Sequence, residues 1–310
     1  MTSTALPALH RLLTVVALLV FPAMSDAIDI ESFWEYGDPA ASEARFRAQL
    51  PKATPDEQLE LLTQIARTHS LRRQFDTAHA LLDDVERHLG DAGPAVRARY
   101  FLERGRTFNS AGDKGRAAKL FEQAWSTAST ARLEGLAVDA AHMLAIVEPP
   151  SSAAQWTKRG LELARASTDK KARGLLPALL NNHAWNLHDE GRHEEALAVF
   201  REAETAWHAT GRQPQGRIAT WSVARALRAL KRHDEALELQ LRLERDWQAA
   251  GEADGYVFEE IGENLEALGR TAEATAYFRR AEQELGKDPQ FARDEAARWQ
   301  RITSLAARAL

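Results

Sequence analysis

The chain has 310 residues, of which 45% are hydrophobic, and this is enough apolar material to bury a continuous core. Its 40 Lys and Arg residues stand against 45 Asp and Glu residues, giving a formal net charge of -5, so no global basic surplus would attract nucleic acid or anionic lipid. The sequence has no cysteine, which excludes disulfides, thiolate zinc sites and a cysteine nucleophile.

The first 27 residues have the pattern of a secretory leader. Arg11 precedes the apolar run of residues 12–21, and Ser25 and Ala27 place small residues at the two positions that a signal peptidase inspects. The apolar run is about ten residues long, whereas a membrane-spanning helix needs roughly 20, so a retained anchor is disfavoured. We therefore expect residues 1–27 to be a cleaved signal peptide. The protein is then expected to be exported, to reside in the periplasm, and not to insert into the membrane after cleavage.

The rest of the chain is predicted to be helical. Ala, Leu, Arg, Glu and Gln dominate it, and short clusters of Gly and Pro separate segments of ordinary helix length. Within the segments, apolar residues recur at intervals of three and four, as in helices with one buried face. Residues 28–58 are predicted to be an N-terminal segment with a capping helix that opens at Asp38-Pro39. Thr54 and Glu57 then form a capping box for the next helix.

A twenty-residue template recurs along this helical region. Each copy begins with a small residue, and a large apolar residue follows three positions later. Counted from the same first residue, a second small residue follows after twelve positions, an aromatic after sixteen and a third small residue after nineteen. The clearest copies begin at Gly105, Ala184 and Gly262, and weaker copies begin at Ala66, Ala141 and Ala224. Small residues let two antiparallel helices approach closely, so we expect the first small residue to face the second one. Thr157 and Gln240 replace the aromatic in the third and fifth copies.

This ladder of small, large and aromatic residues over two helices resembles the tetratricopeptide repeat family. Six copies cover residues 59–285. Their second-helix alanines lie 36 to 43 residues apart, longer than the family's usual period of about 34. The resemblance implies an all-α fold, a right-handed α-solenoid of stacked antiparallel helix hairpins. Residues 286–310 are predicted to be a C-terminal capping helix, since a terminal repeat needs a cover for its apolar face.

No motif in the sequence indicates an enzyme. A Gly-rich phosphate loop, an HExxH zinc pair and a G-x-S-x-G nucleophile elbow are all missing. His183, His188 and His193 are spaced five apart, which puts consecutive members about 140° round a helix from each other, a poor arrangement for binding a metal. We therefore expect no catalytic residue, no metal and no cofactor.

The family resemblance also implies where a partner would bind. In this family the first helix of each hairpin lines a concave groove, and its groove residues lie three before, one after and four after the first small residue. The groove residues predicted in this way are Arg106, Asn109, His142, Asn181, Trp185, His188, Trp221, Arg225, Arg228, Glu259, Glu263 and Glu266.

Tryptophan and arginine dominate binding hot spots, so the cluster around Trp185, Trp221 and Arg225 is the part of the groove we expect to bind most strongly. Arginine can hold a carboxylate with two hydrogen bonds, and tryptophan adds apolar contact, so an acidic-aromatic peptide would suit this cluster. The alternative is that Trp185 or Trp221 is buried against the neighbouring hairpin.

Together these patterns predict an exported scaffold or adaptor that holds a protein or peptide partner in its concave groove. The alternative function is a structural or sensory module that self-associates or docks on a membrane sensor. A symmetric dimer with an occluded groove would favour that alternative.

Overall fold

The computed structural model describes residues 28–35, 37–288 and 290–309; the predicted signal peptide lies outside the described residues. Over these ranges the chain forms helices and short 3₁₀ turns, with no strand. The helices are α1 (Pro39–Gln49), α2 (Pro55–Leu71), α3 (Phe75–Glu86), α4 (Pro94–Ser110), α5 (Lys114–Thr130), α6 (Glu134–Val147), α7 (Pro150–Ala166), α8 (Lys170–Gly174), α9 (Leu176–Asp189), α10 (His193–Ala209), α11 (Gln213–Ala229), α12 (His233–Ala249), α13 (Gly255–Ala267), α14 (Thr271–Leu285), α15 (Phe291–Asp294) and α16 (Ala296–Ala306). No helix in the described ranges is both long and apolar enough to cross a membrane.

Consecutive helices pair into six hairpins. The pairs are α2 with α3, α4 with α5, α6 with α7, α9 with α10, α11 with α12, and α13 with α14. Each hairpin also packs on its neighbours, so the six form a stack. The prediction of an all-α stack of helix hairpins is confirmed. The third copy of the template forms a hairpin too, although Thr157 stands at its aromatic position and the short helix α8 follows it.

The aromatic residue of the template packs directly against the first small residue. A Cβ atom added to Gly105 would lie 2.5 Å from a ring carbon of Phe121, and one added to Gly262 would lie 3.0 Å from the ring of Phe278. From the sequence we expected the second small residue in this place. Both rings are fully buried. The small residue therefore makes room for a ring, and the ring fills the core of its hairpin.

Five of the hairpin turns share a left-handed residue, which lies seven positions after the first small residue. These residues are Arg73, Gly112, Gly191, Lys231 and Gly269. In each turn the next residue donates its backbone N–H to the carbonyl five positions earlier, as Arg232 does to Leu227 at 2.9 Å. This is the usual helix ending that favours glycine, because a side chain is strained in the left-handed conformation.

Both ends of the stack are covered. At the N-terminal end, Ile30 and Phe46 are buried together with Leu61 of α2. At the C-terminal end, α16 packs on α14 and buries Ile302 and Leu305. The apolar faces of the first and last hairpins are thereby removed from water.

Candidate functional site

All twelve predicted groove residues lie on the first helices of the hairpins, on α4, α6, α9, α11 and α13. Glu259 is buried, and the other eleven are half-buried, including Asn109 and Asn181. The structure therefore places the predicted residues on a shared wall of the stack, which we call the groove face. It divides them into three sections with different chemistry, one charged, one aromatic and one acidic.

The charged section borders a cavity of about 730 Å³ on the groove face of α2, α4 and α6. Asp29, near the start of the described chain, and Arg212, just before α11, line this same cavity. Residues so distant in sequence can share one cavity only if the stack curves round it, so the groove face is concave here. Of the predicted residues, Arg106 and His142 line this cavity.

Ion pairs already join the charged groups in this section. Arg106 donates to Glu103 at 2.7 Å and also to Asp139. Burial acts to raise the pKa of Asp139, but the neighbouring Arg106 more than offsets this and the pKa is lowered, so Asp139 is ionised at neutral pH. Burial lowers the pKa of His142, so its imidazole is uncharged at pH 7.

The aromatic section is a row of rings that runs across the first helices of the last three hairpins and on to the C-terminal helices α15 and α16. We call it the aromatic strip, and it consists of Trp185, Trp221, Tyr256, Phe291 and Trp299. Neighbouring ring centroids along the strip lie 6.1, 6.4, 5.8 and 6.1 Å apart. These are contact distances for aromatic rings. The strip is thus one continuous row of ring contacts over α9, α11, α13, α15 and α16, in which Phe291 is buried and the other rings are partly exposed.

The sequence left open whether Trp185 and Trp221 are exposed or are buried against a neighbouring hairpin, and in the structure each is partly both. Trp185 packs edge-on to the buried ring of Phe200 at 5.0 Å, and Trp221 packs against the core of the sixth hairpin. Both are half-buried. Each tryptophan therefore supports the stack with one part of its ring while the rest stays accessible to solvent.

The residues most exposed on this surface are two that the sequence did not single out. Tyr256 of the strip is 41% exposed, and Ile218, one turn before Trp221 on α11, is 56% exposed. Both lie six residues before the first small residue of their repeat, at the groove-facing position one turn earlier than those we counted. That spacing was the signal that could have found them.

The two arginines beside the strip are bound to a carboxylate of the chain itself. Arg225 Nη1 donates to Glu260 Oε1 at 2.7 Å, and Arg228 Nε donates to Glu260 Oε2 at 2.7 Å. Glu260 is fully buried on α13, and a buried carboxylate without a cation would be strongly destabilising. The expectation that these guanidinium groups await a ligand carboxylate is therefore corrected: Glu260 already fills that role.

The acidic section is neutralised by the C-terminal helix. Arg298 donates to Glu259 at 2.6 Å and Arg301 to Glu263 at 2.6 Å, each through two nitrogens. Arg308, just beyond α16, donates to Glu266 at 2.7 Å. Burial raises the pKa of Glu259, with Arg298 acting against that effect. The three glutamates predicted to line an acidic end of the groove instead fasten the capping helix.

His188 completes the predicted set. Its ring lies 5.2 Å from that of Trp185 and 4.8 Å from that of His193. Burial lowers the pKa of His188, and His193 and Arg225 add to the effect, so the ring is neutral at pH 7. No group of three or more His, Asp or Glu side chains in the described ranges is arranged to hold a metal ion.

No protein-family model matches the sequence, and the curated proteins contain no match to it either. Solved structures do match the fold. The apo form of RapI is 13% identical, with 84% of this chain and 74% of that chain covered and a TM-score of 0.66. A signal transduction ATPase from Pyrococcus horikoshii with a tetratricopeptide repeat sensor is 13% identical, covering 87% of this chain and 42% of that one, with a TM-score of 0.65.

A third match is NprR in complex with its cognate peptide NprX. It is 14% identical, 86% of this chain and 78% of that chain are covered, and the TM-score is 0.53. At these identities the likeness concerns the fold. The chain folds as a tetratricopeptide repeat solenoid, which confirms the resemblance inferred from the six template copies.

Proposed function

We propose that this chain is an exported scaffold that binds an extended peptide, or an extended segment of a partner protein, along the aromatic strip of its groove face. One observation carries the proposal: Ile218 and Tyr256 are exposed at equivalent positions of neighbouring helices, and Tyr256 is continuous with the rings of Trp185 and Trp221. Exposed apolar groups collected on a concave wall are typical of binding sites. NprR, which shares the fold, has been solved with a bound peptide.

The chemistry of the strip favours apolar side chains in the ligand. The guanidinium groups of Arg225 and Arg228 are bound to Glu260, so a ligand carboxylate would have to displace a buried internal ion pair. Apolar and aromatic ligand side chains can instead cover Ile218 and Tyr256 without breaking any bond. We therefore infer a ligand rich in apolar and aromatic residues, in place of the acidic-aromatic peptide expected from the sequence.

Binding without catalysis is part of the same proposal. The sequence carries no catalytic motif, and the ionisable groups of the groove face are largely bound to each other in Arg–Glu and Arg–Asp pairs. The leader pattern of residues 1–27 supports export, and hence a partner outside the cytoplasm.

The proposal can be tested with a phage-displayed library of linear peptides selected on the immobilised protein. We expect the enriched peptides to be apolar and aromatic, and Ile218→Ser or Tyr256→Ser to weaken their binding at least tenfold, about 1.4 kcal/mol, in isothermal titration calorimetry. Ile218 is 56% exposed, so Ile218→Ser should leave the melting temperature nearly unchanged. Tyr256 also contacts the rings of Trp221 and Phe291, so Tyr256→Ser should lower the melting temperature modestly.

Ile146→Ser is the matched control. Ile146 is 42% exposed but lies on α6, away from the strip, so its replacement should alter affinity less than twofold. If the selected peptides bind all three variants as tightly as the wild type, the strip is not the binding surface.

A further inference from the structure

The first described residue, Ile28, is held to the first repeat by a carboxylate. The backbone nitrogen of Ile28 donates to Glu57 Oε1 at 3.2 Å. The other oxygen, Glu57 Oε2, accepts from the Thr54 backbone N–H at 2.8 Å and from the Thr54 hydroxyl at 2.8 Å. Glu57 thus uses one oxygen for the capping box of α2 and the other for Ile28.

Side chains keep the Ile28 nitrogen in this position. Ile28 packs against the buried cluster that contains Ile30, Trp34 and Phe46. The indole nitrogen of Trp34 also donates to Gln64 Oε1 at 3.0 Å, which ties the same segment to α2. The contact with Glu57 is therefore supported by the core of the first repeat and does not depend on a single hydrogen bond.

Ile28 is also the residue that would become the N-terminus of the mature chain. Ser25 and Ala27 are the small residues expected three positions and one position before a signal-peptidase cut, so the predicted cut falls between Ala27 and Ile28. Cleavage there would replace the amide nitrogen of Ile28 with an α-ammonium group, which is charged below a pKa of about 7.7 to 8.0 in an unfolded chain.

We infer that removal of the leader creates an ion pair between the α-ammonium group of Ile28 and the Glu57 carboxylate, so that processing itself fastens the N-terminal segment to the first repeat. An amide donates one uncharged hydrogen bond to Glu57, whereas an ammonium group adds a full positive charge to the same geometry. Charge-assisted bonds are about twice as strong as neutral ones. This ion pair rests on the proposed export of the chain, and it does not depend on what the groove face binds.

The pH range of this pair follows from the groups around it. Hydrogen bonds from Thr54, with a further contribution from Ile28, lower the pKa of Glu57, so the carboxylate is charged at neutral pH. The charged residues next to the pair in sequence are Asp29, which follows Ile28, and Asp56, which precedes Glu57 and accepts the backbone N–H of Gly93 at 3.0 Å. An ammonium beside Glu57 has its pKa raised above the unfolded value. The pair is therefore complete between the lowered pKa of Glu57 and about pH 7.7. It is lost as the pH rises through the raised pKa of the ammonium group, and also as the pH falls through the lowered pKa of Glu57.

The test uses the full chain, Met1 to Leu310, exported by its own leader in a Gram-negative host and purified from the periplasm. N-terminal sequencing and intact mass should give a chain that begins at Ile28. The pKa of its α-amine can then be measured from the pH dependence of trace acetylation, read by peptide mass spectrometry.

Glu57→Gln is the informative variant, because glutamine also serves in a capping box and only the charge is lost. The α-amine pKa should be higher in the wild type than in Glu57→Gln by about 0.2 to 0.7, as for an exposed ion pair. Asp56→Asn, which removes a neighbouring charge without touching Ile28, should change it less. A chain that keeps Met1, a cut at another residue, or equal α-amine pKa values in the wild type and Glu57→Gln would overturn the inference.

Discussion

At the scale of single residues, Gln240 is the clearest departure from the repeat template, because it places a polar side chain at a core position. It stands where the second, fourth and sixth repeats have phenylalanine, and its side chain is fully buried on α12. Neither Nε2 nor Oε1 of Gln240 has a hydrogen-bond partner among the described residues. The template identified this exception from sequence, but only the packing shows that the amide is buried without a partner.

We predict that Gln240→Met stabilises the protein. Methionine has a similar length and flexibility, so it fills the same space while removing two buried polar atoms that bond to nothing. An unsatisfied buried group costs about 1 to 3 kcal/mol, and the free energy of unfolding in urea should rise by an amount in that range.

Gln64→Met provides the contrast, because Gln64 is just as buried but accepts from Trp34 at 3.0 Å and donates to Glu103 at 3.3 Å. It should destabilise the protein. Equal effects of the two substitutions would show that the hydrogen bonding of Gln240 has been misjudged.

The groove residues show why sequence alone gave only part of the candidate site. Helical spacing places the predicted residues of each first helix on one face of that helix, since that needs only local geometry. It could not predict that Glu260, Arg298 and Arg301 would bind residues on neighbouring helices, because those contacts depend on how the hairpins stack. The charged side chains that looked unpaired when each helix was considered alone therefore form ion pairs in the structure.

At the scale of helices and turns, the left-handed position explains which hairpin endings are strained. Three hairpins place glycine there, whereas Arg73 has φ 59° and Lys231 has φ 61°. The sequence showed the glycines as punctuation between helices, but it did not show that arginine and lysine adopt the same conformation. Arg73 and Lys231 adopt it because the rest of each turn has the same hydrogen bonding as the glycine turns, including the bond from Arg232 to Leu227.

Lys231→Gly should therefore stabilise the fifth hairpin. Glycine relieves the strain of a left-handed side chain, about 1 to 2 kcal/mol, but loses more chain entropy on folding, so we expect a net gain of about 0.5 to 1 kcal/mol in thermal or urea unfolding. The reverse change in the next hairpin, Gly269→Lys, should lower stability by a similar amount. The explanation fails if both substitutions shift stability in the same direction.

At the scale of the whole molecule, the period of the template was enough to predict a stack of helix hairpins. The curvature of the stack was not predictable in the same way. The short helix α8 contacts both the third and the fourth hairpin, and its N-terminal neighbour Asp169 accepts the backbone N–H of Gly135 at 3.0 Å. Asp29 and Arg212 line one cavity although they lie far apart in the sequence.

Another cavity, of about 500 Å³, offers a competing site on a different surface. It lies between second helices and includes Trp125, whose ring packs against that of Trp156 at 5.3 Å. This pair is on the opposite helices of the hairpins from Trp185 and Trp221. A change in the signals of one tryptophan pair, but not of the other, can therefore show which of the two surfaces a ligand occupies.

The most direct measurement is an NMR titration of the ¹⁵N-labelled tryptophan side chains with a library-selected peptide, each indole signal being assigned by a Trp→Phe variant. Binding along the aromatic strip predicts that the indole signals of Trp185 and Trp221 shift in proportion to occupancy while those of Trp125 and Trp156 stay in place. Saturable binding that shifts the signals of Trp125 and Trp156 and leaves those of Trp185 and Trp221 unmoved would contradict a ligand site in the groove.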